Sequence, residues 1–182
     1  MQSGDLIYLY VGYGLLAWSA ARSDRKDLAY KSMNQSQEVA QKLGGKVIMG
    51  DVFQSARAEM AYLMGDMDTA IQTANQTIEM AQKIGAIWST GVSYRVWGQA
   101  LYKLELQSWE ETGRKFAESI RILESGQNQM EAARTRFAWG QLCYDLGNAN
   151  EARVHLEQAA DKFSESNANN DLENVKELLA LL

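Results

Sequence analysis

Few residues of the sequence could form a catalytic or metal-binding site. The single histidine, His155, follows Glu151 by four residues, so both side chains would share one face of a helix and could contact one metal ion. Two ligands without a third make a weak site, and we interpret the two residues as a solvated pair on the surface. The single cysteine, Cys143, is expected to pack between helices as a small buried thiol.

Two short motifs resemble pieces of catalytic signatures. The Gly-Gly-Lys sequence at residues 44–46 lacks the remainder of a phosphate-binding loop, and Gly44 is interpreted as the end of a helix. Ser23 and Lys26 have a Ser-x-x-Lys spacing without companion motifs, which indicates a turn. The sequence therefore predicts no catalytic residue, no metal site and no cofactor, and the protein is not expected to be an enzyme.

The composition is typical of a single folded, helical domain. The 182 residues are 46% hydrophobic and 23% charged, and they include no proline, which suits uninterrupted helices. A net charge of −5 gives no attraction for a nucleic-acid backbone or an anionic bilayer, so neither is expected as a partner. A single cysteine excludes an internal disulfide, and we expect a reducing, cytoplasmic location.

The most apolar segment extends from Leu6 to Trp18. It is shorter than the roughly 20 apolar residues that a membrane-spanning helix needs, and we interpret it as a mostly buried helix. The chain begins within this helix, as expected of a piece of a longer protein in which a preceding unit covers the same face.

A repeat of 41 residues organises the chain. The sequence QEVAQKLGG at residue 37 returns as IEMAQKIGA at residue 78, and residues that commonly end helices recur with the same period at Gly44, Gly85, Gly126 and Asn167. Further breaks lie between them, at 23–24, 65–66, 106–108 and 147–148. The pattern predicts one domain over residues 1–182, made of four helical hairpins at 5–44, 46–85, 86–126 and 128–167 and a capping helix at 170–182.

Small residues occupy matching positions in the two helices of each hairpin, where helices can approach closely. Those of the first helices are Ala17, Ala58, Gly98 and Gly140, and those of the second helices are Ala29, Ala70, Thr112 and Ala152.

The pattern W-G-Q-x-x-Y-x-L occurs at Trp97 and Trp139, and A-x-x-x-L-x-x-A follows at 152–159. These residues resemble the tetratricopeptide repeat (TPR), although the period is 41 rather than 34 and no proline ends the unit. The chain is similar to the long-hairpin variants at the C-termini of bacterial signalling ATPases, cyclases and transcription regulators. The resemblance implies an all-α, right-handed superhelix that acts as a non-catalytic protein-interaction module, the regulatory or sensing part of a larger signalling protein.

A groove along the first helices is the expected binding surface for a protein or peptide partner. Helical spacing places one set of residues on that face: Trp18, Glu59, Tyr62, Arg95, Gln99, Tyr102, Arg134, Gln141 and Tyr144. Arg95, Tyr102, Arg134 and Tyr144 are expected to face solvent, whereas Trp97 and Trp139 are expected in the core. The alternative is self-association through the apolar N-terminal helix.

Overall fold

The computed structural model describes residues 3–45, 47–104 and 109–182. Within these residues the chain forms nine α-helices and no β-strand, so the predicted all-α class is confirmed. The helices are α1 (Ser3–Arg22), α2 (Lys26–Lys42), α3 (Gly50–Leu63), α4 (Met67–Lys83), α5 (Ile87–Leu104), α6 (Trp109–Ser125), α7 (Gln129–Asp145), α8 (Ala149–Glu165) and α9 (Asn169–Leu179). The predicted hairpin start at residue 46 and the predicted turn at 106–108 lie outside the described residues.

The helices pack in chain order as four pairs followed by α9. Each odd-numbered helix packs against the even-numbered helix that follows it, and α4, α6 and α8 also contact the next odd-numbered helix. The odd-numbered helices contact one another in turn, from α1 to α9. Their side chains can therefore form one surface that extends across all four pairs.

Most of the helices end with a residue in the left-handed backbone conformation. In each case the amide of that residue bonds to the carbonyl three residues earlier, and the next amide bonds to the carbonyl five residues earlier, which is the Schellman motif. The residues in this conformation recur every 20 or 21 positions on either side of the segment 105–108, and they are Asp24, Gly44, Gly65, Gly85, Gln127, Gly147 and Asn167. This half-period explains the 41-residue repeat of the sequence.

The prediction that Gly126 provides the left-handed residue is wrong, because Gln127 has the positive φ of 59°. Gly126 is instead constrained by packing. A β-carbon there would lie 2.5 Å from Cγ2 of Ile87, too close for any real contact. The glycine therefore allows the end of α6 to approach the start of α5.

The close approach predicted within each helix pair is confirmed. Ala17, Ala58 and their partners Ala29 and Ala70 have no exposed surface. In the fourth pair, a β-carbon on Gly140 would lie 2.7 Å from Cγ of Leu156 and 3.4 Å from the Ala152 carbonyl. A larger side chain at these positions would separate the helices and misplace the odd-helix surface.

The last helix, α9, covers the apolar end of the fourth pair. Val175 is fully buried, and it packs with Leu156 and Phe163 of α8 and with the leucines of the C-terminus. A stack of helices needs such an element because its last pair would otherwise expose an apolar face.

Replacing Gln127 by glycine should stabilise the protein by about 0.5–1 kcal/mol, because glycine adopts a positive φ without the steric cost that a β-carbon brings. The control is Gln76→Gly, at an exposed glutamine inside α4. This change should lower the free energy of unfolding by about 0.5–1 kcal/mol. Urea denaturation of both variants provides the measurement. A loss of stability in Gln127→Gly as large as that in Gln76→Gly would contradict the assigned cap.

Candidate functional site

The residues predicted to form the groove lie on four consecutive odd-numbered helices, α1, α3, α5 and α7. Two cavities of about 220 and 430 Å³ open on this surface. Both are lined by Tyr62, Gln99, Ala138 and Gln141, so they are adjoining parts of one depression, which we call the odd-helix groove. Eight of the nine predicted residues line it, and the ninth, Trp18, reaches it through a hydrogen bond from its indole nitrogen to Glu59.

The smaller cavity is lined mainly by glutamine and tyrosine. Gln99 and Tyr102 on α5 are three residues apart, as are Gln141 and Tyr144 on α7, so each pair faces the same side of its helix. The Tyr102 hydroxyl donates to Oδ2 of Asp145 over 3.3 Å. Amide and phenol groups of this kind can bind a ligand by hydrogen bonds and stacking without contributing a charge.

Tyr62 connects the two cavities from α3. Burial raises the pKa of its hydroxyl, and the nearby carboxylate of Asp145 raises it further. The phenol is therefore neutral throughout the physiological range, and it can act as a hydrogen-bond donor in the centre of the groove.

Six alternating charges lie along the larger cavity, and five of them line it, all but Glu131. They connect α1, α3, α5, α7 and α9 in sequence, and we call them the charge ladder: Arg22, Glu59, Arg95, Glu131, Arg134 and Asp171. The ladder contains three arginines and three carboxylates, so its net charge is zero. The groove therefore has little electrostatic preference for a strongly charged ligand.

Arg95 is the most enclosed member of the charge ladder. Only 3% of its surface is exposed. Its Nη1 lies 2.6 Å from Oε2 of Glu131, and its Nη2 lies 3.6 Å from Oε1 of Glu59. The expectation that Arg95 faces solvent is wrong, because these carboxylates on α3 and α7 hold its guanidinium between the helices.

Arg22 forms one end of the charge ladder, and Arg134 connects it to Asp171 at the other end. Arg22 donates to both carboxylate oxygens of Glu59 at 3.0 Å, and its guanidinium lies 4.5 Å from the ring centroid of Trp18. Arg134 lies 2.7 Å from Glu131 and 2.9 Å from Asp171 of α9. Arg134 is about 30% exposed, so it is only partly available to a ligand.

Sequence reasoning missed half of the charge ladder, namely Arg22, Glu131 and Asp171. The spacing along the sequence indicates these pairs, because the bonded partners on successive odd-numbered helices are 36 or 37 residues apart. A search for oppositely charged residues separated by slightly less than the 41-residue repeat would have found them. Asp145, which accepts from Tyr102, was missed because it occupies a variable position of the W-G-Q-x-x-Y-x-L motif, where the third pair has Lys103.

The two tryptophans predicted in the core are half-buried between the helices of their pairs. Trp97 packs against the apolar cluster that includes Val92 and Val96, and the Lys115 ammonium lies 3.5 Å from its ring centroid. Trp139 packs with Phe116 on one side of its ring. Both contribute to packing between helices and neither lines the odd-helix groove.

The interpretation of Glu151 and His155 as a solvated surface pair is wrong. Only 15% of the His155 side chain is exposed, because its ring stacks on Trp139 with centroids 4.2 Å apart. Burial lowers the pKa of His155 to about 4, with a smaller contribution from the charge of Arg136. The Cys143 thiol lies beside this pair. Burial raises its pKa to about 12, and the charge of Glu151 makes a smaller contribution in the same direction.

Comparison with known proteins finds no family model that matches the chain and no curated protein that matches its sequence. Over the part of the chain that the structure describes, a search for a helix with the length and apolar character needed to cross a bilayer finds none.

The charge ladder should make the free energy of unfolding depend on pH. Burial alone would raise the pKa of Glu131, but the guanidinium groups of Arg95, Arg134 and Arg22 hold it down at about 2, compared with 4.5 for an ordinary glutamate. A depressed folded-state pKa gives stability that is complete above about pH 4.5 and is lost as the pH falls towards 2. The shift corresponds to at most about 3 kcal/mol.

Glu131→Gln should therefore be less stable than the parent protein at pH 7, and the difference should shrink between pH 4.5 and 2. Urea denaturation at several pH values measures it. Glu79→Gln, at an exposed site on α4, should show a small difference that hardly changes with pH. A difference for Glu131→Gln that stays constant down to pH 2 would mean that the carboxylate is not held ionised by the arginines.

Proposed function

We propose that the protein is a non-catalytic interaction module that binds a peptide or helix of a partner protein in the odd-helix groove. Its helix pairs are proposed to stack as a right-handed superhelix of the tetratricopeptide type. The succession of contacts between odd-numbered helices supports this arrangement, as do the paired small residues inside each hairpin. The module is proposed to be the regulatory part of a larger signalling protein. A cytoplasmic location would suit its buried free thiol.

The observation that carries the proposal is the repetition of glutamine and tyrosine along the groove. Gln99 with Tyr102 and Gln141 with Tyr144 occupy matching places on neighbouring helices. Tyrosine provides a large contact area with little loss of conformational entropy, and it is enriched among residues that dominate binding energy. Glutamine can bond to both the amide and the carbonyl of a peptide backbone.

The groove also indicates the kind of ligand. The charges of the ladder are satisfied within the protein, so they favour a ligand without a dense charge of either sign. The smaller cavity has apolar lining from Phe116, Ala138 and Leu142 beneath the polar side chains. A short segment that inserts one or two apolar side chains while its backbone bonds to the glutamines would fit both features.

Selection from a displayed library of random peptides provides the test. Peptides enriched on the purified chain should be titrated against Tyr144→Ala and Gln141→Ala variants. We expect Tyr144→Ala to weaken binding by about 2 kcal/mol, roughly 30-fold, since truncation of a central aromatic contact removes that much. Tyr144 lies outside the buried apolar clusters of the described residues, so its loss should leave the fold in place.

The matched control is Tyr30→Ala, at an exposed tyrosine on α2 outside the groove. Its affinity for the selected peptides should equal that of the parent protein. Equal binding to the parent protein, Tyr144→Ala and Gln141→Ala would contradict the groove as the binding surface.

Self-association is the second candidate function. It is favoured by the apolar side chains that α1 exposes, since Ile7, Tyr8, Leu15 and Leu16 are each at least 38% exposed. Sedimentation equilibrium of the purified chain distinguishes the two functions. A dimer that dissociates in a Leu16→Glu variant would support self-association. A monomer at micromolar concentrations would exclude self-association as the function.

A further inference from the structure

The side chains of Cys143, Glu151 and His155 form a compact cluster between α7 and α8, on a different part of the protein from the odd-helix groove. Each offers one atom that can bind a metal, and these three atoms all lie within 4.8 Å of one another. Cys143 is 2% exposed, while the Glu151 side chain is 33% exposed. The cluster is therefore enclosed on the cysteine side and open to solvent on the glutamate side.

The imidazole of His155 is fixed in orientation and lacks hydrogen-bond partners. Its ring lies 22° from parallel to that of Trp139, so stacking occupies one face and does not involve the nitrogen lone pair in the ring plane. Nδ1 is buried without a hydrogen bond, and Nε2 lies 4.0 Å from Oε1 of Glu151, beyond hydrogen-bond distance. Among the described residues, Nδ1 is thus one of the few buried polar side-chain atoms without a hydrogen-bond partner, which is uncommon in folded proteins.

The carboxylate of Glu151 is held in place by the start of α8. Its Oε2 accepts a hydrogen bond of 2.7 Å from the side-chain amide of Asn148, which leaves Oε1 directed towards His155. The Asn148 side chain is itself fixed, since its oxygen accepts the amide of Glu151 at 3.4 Å. Outer partners of this kind orient carboxylate ligands in metal sites.

We propose that Cys143, Glu151 and His155 bind a divalent cation of the zinc class. One sulfur, one nitrogen and one oxygen donor suit Zn²⁺ or Co²⁺, with a water molecule as the fourth ligand. Tetrahedral ligands at bond lengths of about 2.0–2.3 Å are separated by roughly 3.3–3.8 Å, so the cluster needs to contract by only about 1 Å.

The charges of the site are compatible with a doubly positive ion. When the sulfur–metal bond forms, the thiol proton passes to solvent, and the resulting thiolate and the Glu151 carboxylate together carry two negative charges. The nearby cation, Arg136, is paired with Glu124 at 2.9 Å. Because the ligands come from both helices of the fourth pair, a bound ion would join α7 to α8 beside the Trp139 ring.

The test is a titration of the full chain with Co²⁺, in the presence of a phosphine reductant and after treatment with a chelator. We expect visible bands of four-coordinate cobalt and a sulfur-to-cobalt charge-transfer band that saturate at one equivalent and disappear when Zn²⁺ is added. Saturating Zn²⁺ should also raise Tm by several degrees, because it binds only the folded site.

Three ligand variants and one control make the test specific. Cys143→Ser should remove the charge-transfer band, while Glu151→Gln and His155→Gln should each weaken binding by at least about tenfold. The control is Glu157→Gln, an exposed carboxylate on the same helix, which should bind as the parent protein does. Circular dichroism of each variant verifies the fold, and if Cys143→Ser unfolds, Glu151→Gln decides because its side chain is partly exposed.

The absence of saturable cobalt bands in the parent protein would overturn the proposal, as would unchanged affinity in Glu151→Gln and His155→Gln. Neither result bears on peptide binding, because the three ligands lie outside the odd-helix groove.

Discussion

The guanidinium group of Arg95 lies between α3 and α7, almost completely removed from solvent, and it is stable there only because two carboxylates from those helices neutralise it. Glu131 is in turn shared with Arg134, and Glu59 is shared with Arg22. A displacement of one odd-numbered helix would leave a buried charge without its partner. The charge ladder therefore fixes the positions of neighbouring odd-numbered helices along and across the surface that they form.

This constraint separates the structural part of the groove from the part that remains for a ligand. Glu59 and Arg95 are occupied by contacts inside the protein, so the polar groups best placed for recognition are Gln99, Gln141 and Tyr144. Recognition by these residues depends on shape, stacking and hydrogen bonds rather than on net charge. The metal-binding cluster proposed between α7 and α8 is a separate feature, since none of its three side chains lines the odd-helix groove.

Helix positions could be predicted from the sequence because the helix ends repeat, and because a glycine or asparagine at a helix end can be recognised from the sequence alone. Gln127 could not be found in this way, since glutamine rarely adopts a positive φ and its conformation is imposed by the neighbouring packing. The groove residues followed from helical spacing, but the burial of Arg95 depends on Glu131, 36 residues later. Likewise, only the tertiary packing of α7 on α8 brings Cys143 to His155.

A double-mutant cycle on Arg95 and Glu131 tests most directly whether the charge ladder is a coupled structural unit. The free energy of unfolding is measured for Arg95→Met, Glu131→Leu and the double variant. Each single change removes the closest partner of a buried charge, which keeps only its second contact, to Glu59 or to Arg134, and should cost up to about 3–5 kcal/mol. The account predicts that the double variant loses at least about 1 kcal/mol less than the sum of the two. Additive losses, within about 0.5 kcal/mol, would contradict it and mean that the arginine and the carboxylate do not stabilise each other.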